Sequence, residues 1–363
     1  MIHGGSPIRK LVACALAPLL LAVSVSSADA AGQSQRSSAK SRAAVSSIKK
    51  TRASARSVVR RRSSTSSRRV RELRDAQEPR FKLDAASGDM VPDVRAAAAI
   101  VYNPETGQTL YSENADTLRS MASITKVMTA AVFLEDNPDM DREVVVERAD
   151  VRAASTTHIR AGYKLRVGDL LNLLLIASDN AAARVLARVS TLGAKGFIDR
   201  MNTKALELGL TSTSYADPAG LLAANVSSAH DLAKLITHVS ADERIASIMR
   251  KPTYSFQAGR RTVEVHSTNQ LVMRGDVDVQ AGKTGFTRSA GYCLATLLKL
   301  PQGSPVAVVV LGARSNAGRF WETRHLFNWL STKLGGTGSL LKAAGSDAGF
   351  LPGDPLPISS LPQ

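Results

Sequence analysis

The alternation of apolar and polar positions separates an ordered middle from two ends of different character. Early in the middle, Ala96-Ala-Ala-Ala-Ile-Val-Tyr102, a turn at Asn103-Pro-Glu-Thr-Gly107 and Thr109-Leu-Tyr111 predict a β-hairpin. From Ser123 to Glu135 the period becomes helical, with Ile124, Val127, Met128, Ala131 and Leu134 on one face. A second helical stretch starts at Val167-Gly-Asp169, runs through Leu170–Ile176, breaks at Ser178-Asp179-Asn180 and resumes from Ala181 to Val189. His230-Asp231 opens another helix after Ser227-Ser228. Tyr292–Lys299 and Pro305–Leu311 read as strands, and Arg319–Leu330 as a closing amphipathic helix. Strands at both ends of one segment, with helices between, predict an α+β fold whose terminal strands share one antiparallel sheet. That segment is assigned to residues 84–333, and no internal repeat is visible in it.

The N-terminal end is of another kind. Arg9 and Lys10 precede an apolar run from Leu11 to about Val25, and Ala28-Asp29-Ala30 supplies a small-x-small cleavage pattern. Residues 1–30 therefore read as a cleaved export signal, too short for a membrane span, and the remaining chain is expected in a periplasmic or other extracytoplasmic space. With Cys14 removed, Cys293 stands alone in the apolar run Tyr292–Leu298 and reads as a small buried hydrophobe.

Charge sharpens the division. The formal net charge is +16, but residues 32–74 hold fourteen Lys and Arg against one acid, Glu72, and no aromatic residue or proline. The signal carries +1, so only +2 is left for everything else. Residues 31–83 thus read as a disordered basic Ser/Arg-rich tail, and residues 334–363, rich in Gly, Ser and Pro, as a flexible C-terminal tail. In a cytosolic protein the basic tail would suggest nucleic acid. For an exported chain the expected partner is instead an anionic envelope surface, and no nucleic acid is expected.

Three short motifs carry the chemistry: Ser123-Ile-Thr-Lys126, Ser178-Asp179-Asn180 and Lys283-Thr284-Gly285. Ser-x-x-Lys alone is cheap, since it recurs at Ser37/Lys40, Ser46/Lys49, Ser47/Lys50 and Ser339/Lys342, but only Ser123 opens a plausible helix. One helical turn puts Ser123 and Lys126 on one face, and the helix N-terminus favours negative charge at the serine. A lysine acts as a base only when burial or a nearby cation lowers its pKa, and Lys283 is the candidate cation. Taken singly, Ser178-Asp-Asn180 is also what a helix N-cap looks like, and Lys283-Thr-Gly285 what a hairpin looks like. Together, in this order, they fit an acyl-transfer site on a strand edge able to pair with an extended peptide.

Ser-Ile-Thr-Lys, Ser-Asp-Asn and Lys-Thr-Gly-Phe-Thr resemble the active-site motifs of the penicillin-recognising serine D,D-peptidases, low-molecular-mass proteins whose fold is shared with serine β-lactamases. Gly168-Asp-Leu-Leu-Asn172, Asn180-Ala-Ala-Ala183, Ala216-Asp-Pro-Ala-Gly-Leu221 and Ala281–Tyr292 agree with the D-alanyl-D-alanine peptidases. The resemblance covers about residues 90–333. It implies Ser123 as acylated nucleophile, Lys126 as its base, Ser178 as proton shuttle, Asn180 as substrate clamp, and Lys283 and Thr284 as carboxylate and strand contacts. Gly285 makes room for the substrate, and the N–H groups of Ser123 and Phe286 form the oxyanion hole. The implied substrate is peptidoglycan and the implied inhibitors are β-lactams, with no metal or cofactor.

Relatives acting as carboxypeptidases often add a C-terminal β-domain and an amphipathic anchor, for which the residues after Lys333 leave no room. This favours cleavage of D-alanyl cross-links by a D,D-endopeptidase over removal of the terminal D-alanine. A β-lactamase of the common type needs a water-activating glutamate, and Glu207 reads better as the end of a helix over Asn202–Leu210. Intact motifs argue against an inactive wall-binding module. His158, His230, His238, His266 and His325 show no paired helical spacing, which disfavours a metallopeptidase.

Overall fold

The computed structural model describes residues 77–335, Ala86 excepted, together with Val70 and Arg74. The signal, most of the basic tail and the C-terminal tail from residue 336 lie outside the described residues.

In chain order the strands are β1 (Phe81–Leu83), β2 (Met90–Pro92), β3 (Ala98–Tyr102), β4 (Thr109–Glu113), β5 (Arg119–Ser120), β6 (Glu143–Val145), β7 (Lys164–Arg166), β8 (Val226–Ser227), β9 (Thr253–Ala258), β10 (Arg261–His266), β11 (Asp278–Thr287), β12 (Gly291–Lys299) and β13 (Pro305–Ala313). The α-helices are α1 (Thr125–Phe133), α2 (Arg148–Val151), α3 (Val167–Leu175), α4 (Asn180–Val189), α5 (Gly193–Glu207), α6 (Ala229–Ser240), α7 (Glu243–Met249), α8 (Gln270–Arg274) and α9 (Asn316–Gly335). A 3-10 turn, Ala122–Ile124, leads into α1.

One antiparallel sheet in the order β11-β12-β13-β3-β4 organises the molecule. The expected hairpin forms between β3 and β4, and β3 pairs with β13 (Val309↔Ile100), so the two ends of the fold share the sheet as expected. Both faces are covered, which is why its inner strands read as apolar runs rather than as alternation. Ile100, Cys293, Ala295, Val309 and Leu311 face the helical side, where α6 packs. Val101, Leu294, Val308 and Val310 face α9, whose Phe320, Leu326 and Phe327 cover them. Cys293 is buried as expected, and burial raises its thiol pKa.

The helices between the terminal strands form a second body around α1. The sequence pattern gives α1 an apolar stripe, but Thr125, Lys126, Thr129 and Ala130 are buried with Val127 and Met128, so the helix is enclosed nearly all round. Next to it, α3 runs through the core with Leu170, Leu171, Leu173 and Leu174 buried. The boundary between tail and fold also moves. β1 precedes Asp84, pairs with β2 and carries Lys82, which is ion-paired to Glu113 on β4. The sequence showed no signal for it because three residues are too few to display a period. Likewise the β9–β10 hairpin, α7 and α8 went unpredicted. None of the helices among the described residues is long and apolar enough to cross a membrane.

Candidate active site

The three motifs meet in one cleft of about 200 Å³ between the helical body and the edge strand β11, lined by Ser123, Ser178, Asn180, Thr284, Gly285 and Phe286 among others. The chain enters it through strained backbone. Ala122 (φ 50°), Ser155 (φ 55°) and Ser178 (φ 59°) are all left-handed, a conformation disfavoured for residues with a Cβ and concentrated at functional sites. At Ala122 it opens the 3-10 turn that carries Ser123. At Ser178 it reverses the chain between α3 and α4, so that Ser178 faces the cleft while Asp179 turns inward.

Lys126 is fully buried on α1. Its Nζ lies 2.9 Å from Ser123 Oγ, 2.6 Å from Asn180 Oδ1 and 2.6 Å from the carbonyl oxygen of Ala219. The geometry fixes the direction of the proton. A neutral amine has two N–H bonds and one lone pair, and the two carbonyl oxygens can only accept. They therefore take both N–H bonds, and the lone pair is left for the hydroxyl of Ser123. Desolvation lowers the Lys126 pKa to about 7, aided by Arg184 and opposed by Asp217 and Asp179. Two cations act against its charge: Arg184 on α4, and Lys283, the cation expected from the sequence, whose own pKa is lowered by its repulsion with Lys126.

Lys283 is itself buried, and burial, with the Lys126 and Arg319 charges, holds its pKa well below the ordinary lysine value. Its Nζ donates to Ser178 Oγ at 2.8 Å and to its neighbour's carbonyl, Thr284 O, at 3.0 Å. Lys283 thus reaches the cleft through Ser178 rather than presenting a free ammonium to a substrate carboxylate. Thr284 does face the cleft, and its hydroxyl shares a hydrogen bond of 2.6 Å with Thr268. Asn180 was expected to clamp the substrate, yet both ends of its amide are engaged. Oδ1 accepts from Lys126, while Nδ2 donates to Ala154 O at 2.7 Å and Ser155 Oγ at 3.1 Å. As placed, it orients the base. Gly285 lines the cleft, and a Cβ there would meet Met121 O at 2.7 Å and Ser123 N at 3.2 Å. The missing side chain lets β11 close on the serine's own turn. That closeness puts Phe286, half-exposed and stacked on Tyr292, beside the same cleft.

Several contributors escaped the sequence reading. Arg319, buried on α9, lines the cleft and donates to Gly285 O at 2.9 Å. Thr268 and Ser155 have no local pattern that marks them. Ala219 acts through its backbone, and only the stretch Ala216–Leu221, noted above without a role, pointed to it. Asp179 caps α4 as a structural carboxylate, Ser228 caps α6, the helix expected after Ser227-Ser228, and Glu207 ends α5 as expected, in ion pairs with Arg200 and Lys204 and outside the cleft lining. Among the described residues no group of His, Cys, Asp and Glu could hold a metal ion.

Residues 85–315 match the family described as D-alanyl-D-alanine carboxypeptidase. The chain is 33% identical over 255 residues to a D-alanyl-D-alanine endopeptidase of Escherichia coli strain K12, covering 69% of this chain and 82% of that protein. It is 34% identical over 245 residues to a D-alanyl-D-alanine endopeptidase of Pseudomonas aeruginosa, covering 66% and 78%. Among solved structures, the Streptomyces K15 DD-transpeptidase superposes with a TM-score of 0.62 at 30% identity, over 66% of this chain and 97% of that one.

Proposed function

The chain belongs to the D-alanyl-D-alanine carboxypeptidase family, and from that premise we propose that it is a serine D,D-endopeptidase opening the D-alanyl cross-links of peptidoglycan. The observation that carries the reading is the aim of Lys126 at Ser123 Oγ, 2.9 Å away, with both amine N–H bonds committed elsewhere. Lys126 takes the Ser123 proton as Oγ attacks the D-alanyl carbonyl carbon. The resulting oxyanion is received by the N–H groups of Ser123 and Phe286. The C–N bond then breaks, the departing amine takes a proton through Ser178, and Lys283 holds Ser178 in place. Water next attacks the ester carbon and gives up a proton to Lys126, the bond to Oγ breaks, and that proton restores the Ser123 hydroxyl. Arg319, a buried cation at the β11 end of the cleft, favours an anionic substrate there. The preference for cross-links rests on the relatives named endopeptidases; removal of the terminal D-alanine is the second reading. The place of action is extracytoplasmic, and the basic tail rests on an anionic envelope surface.

The test is intact mass of the protein with benzylpenicillin over time, beside Ser123→Ala, followed by digestion of muropeptides. A long-lived adduct lost in the variant, with a cross-linked dimer consumed faster than a monomeric pentapeptide, is the expected result. The opposite substrate order makes it a carboxypeptidase. An adduct that clears in seconds while the drug is consumed makes it a β-lactamase, and no adduct makes it a wall-binding module.

A further inference from the structure

A single carboxylate, outside the three motifs, organises the loop that aims the base. Asp217 Oδ1 accepts from the N–H groups of Ala219 (2.7 Å), Gly220 (2.8 Å) and Leu221 (3.3 Å), and Oδ2 from the N–H of Leu222 (2.7 Å) and Nδ2 of Asn225 (2.8 Å). Four successive backbone donors on one side chain define a tight loop, and the product of that loop is the direction of one carbonyl: Ala219 O, which accepts from Lys126 Nζ. The preceding carbonyl, Pro218 O, accepts from Thr129 Oγ1 at 2.7 Å, so the loop is joined to α1 twice. Its other end reaches the nucleophile. Asn225, fully buried, gives its carbonyl to Met121 N at 3.1 Å, two residues before Ser123. At the middle of the loop, Gly220 (φ 77°) lies so close to the serine's turn that a Cβ would sit 2.0 Å from Ala122 O. One carboxylate therefore holds, through its loop, both the base and the segment that carries the nucleophile.

We propose that Asp217 is the positioning residue of this site: through its loop it aims Lys126 by way of Ala219 O and holds the segment that carries Ser123. This rests on the peptidase reading above. The charged groups around Lys126 are Asp179 and Arg184 from α4, Asp217 from the loop and Lys283 from β11. Desolvation is the largest influence and lowers the pKa, and Asp217 is the foremost of the groups that raise it. Without the two carboxylates the base would be too weak to draw the serine proton, since a good base has a pKa near the working pH.

The test reads Lys126 directly, by 13Cε NMR of lysine-labelled protein, with the resonance assigned by its loss in Lys126→Arg. The rate of acylation by a fluorescent penicillin is measured over the same pH range. In Asp217→Asn the charge is lost and an amide N–H is set among donors. The Lys126 midpoint is expected to fall by at least about half a pH unit, and the acylation plateau by about tenfold. In Asp217→Glu the charge remains but the fit to the loop is lost, so the plateau falls while the midpoint stays within about 0.3 of a unit. An unmoved midpoint in Asp217→Asn overturns the electrostatic role, and an unchanged plateau in Asp217→Glu overturns the positioning role. Should Asp217→Asn not fold, Asp217→Glu still decides the second. Because the NMR titration needs no turnover, a protein that no penicillin acylates sinks the peptidase reading yet leaves the Lys126 midpoint to judge Asp217.

Discussion

Among the described residues Lys126 is one of two fully buried lysines, and its environment sets both activity and stability. With a pKa near 7, the neutral amine grows as pH rises through that value, so penicillin acylation is expected to show a rising limb centred near pH 7. Lys126→Ala removes the base and is expected to slow acylation by about 10²–10⁴-fold across the range, leaving no limb. Stability follows the opposite half of the same fact. A lysine at its ordinary 10.5 when unfolded but about 7 when folded is more protonated in the unfolded chain between those values. Stability contributed by this group therefore rises with pH from about 7 to about 10, and its burial weighs most against folding below pH 7. Urea unfolding at pH 7 and pH 9.5 should show this slope reduced in Lys126→Met. An equal slope in the two proteins would mean that Lys126 titrates normally.

At the level of elements, the break between α3 and α4 matters most. Asp179 is completely buried and caps α4 by accepting from Ala182 N at 3.0 Å. It also accepts from Thr157 Oγ1 at 3.0 Å and His158 N at 2.6 Å, binding the Ala153–His158 loop to the same point. That loop supplies the acceptors for Asn180 Nδ2, so the cap and the orientation of the base are one structure. Asp179→Asn places an amide N–H against the His158 or Ala182 N–H, and leaves a buried donor unmatched. The expected loss is about 1–3 kcal/mol in urea unfolding, with acylation slowed more than about tenfold. A loss of stability with acylation intact would separate the cap from the chemistry.

Across the whole molecule, the sheet is a floor with helices on both faces, and the cleft opens where its edge strand meets the helical body. The N–H of Ala96, just before β3, is held by Glu322 of α9 at 2.8 Å, which ties the two ends of the fold together. Glu322 is buried, and its pKa is raised to about 6 by that burial. On the reading proposed above, the basic tail serves a separate function, attachment to an anionic surface. Removing residues 31–76 is expected to leave penicillin acylation unchanged while abolishing retention on anionic vesicles or sacculi at about 50 mM salt, retention that the full chain loses at about 500 mM. Retention that survives the truncation would place the contact on the folded body.

The sequence determined the fold class, the shared terminal sheet, the break at Ser178–Asn180 and the candidates proposed here as nucleophile and base, because periodicity and short motifs are local properties of the chain. It determined less about what each motif residue does. Lys126 looks like an exposed end of an amphipathic helix until α3, α4 and the Ala216–Leu221 loop enclose it, and only that enclosure turns it into a base. Lys283 and Asn180 carry the right side chains, and packing commits polar groups of theirs to Ser178 and Lys126. Asp217, Ala219, Thr268 and Arg319 are scattered over about a hundred residues, and one of them acts through a backbone carbonyl that no side-chain pattern can announce. Desolvation and hydrogen-bond direction are properties of the packed interior, and so only the tertiary structure decided them.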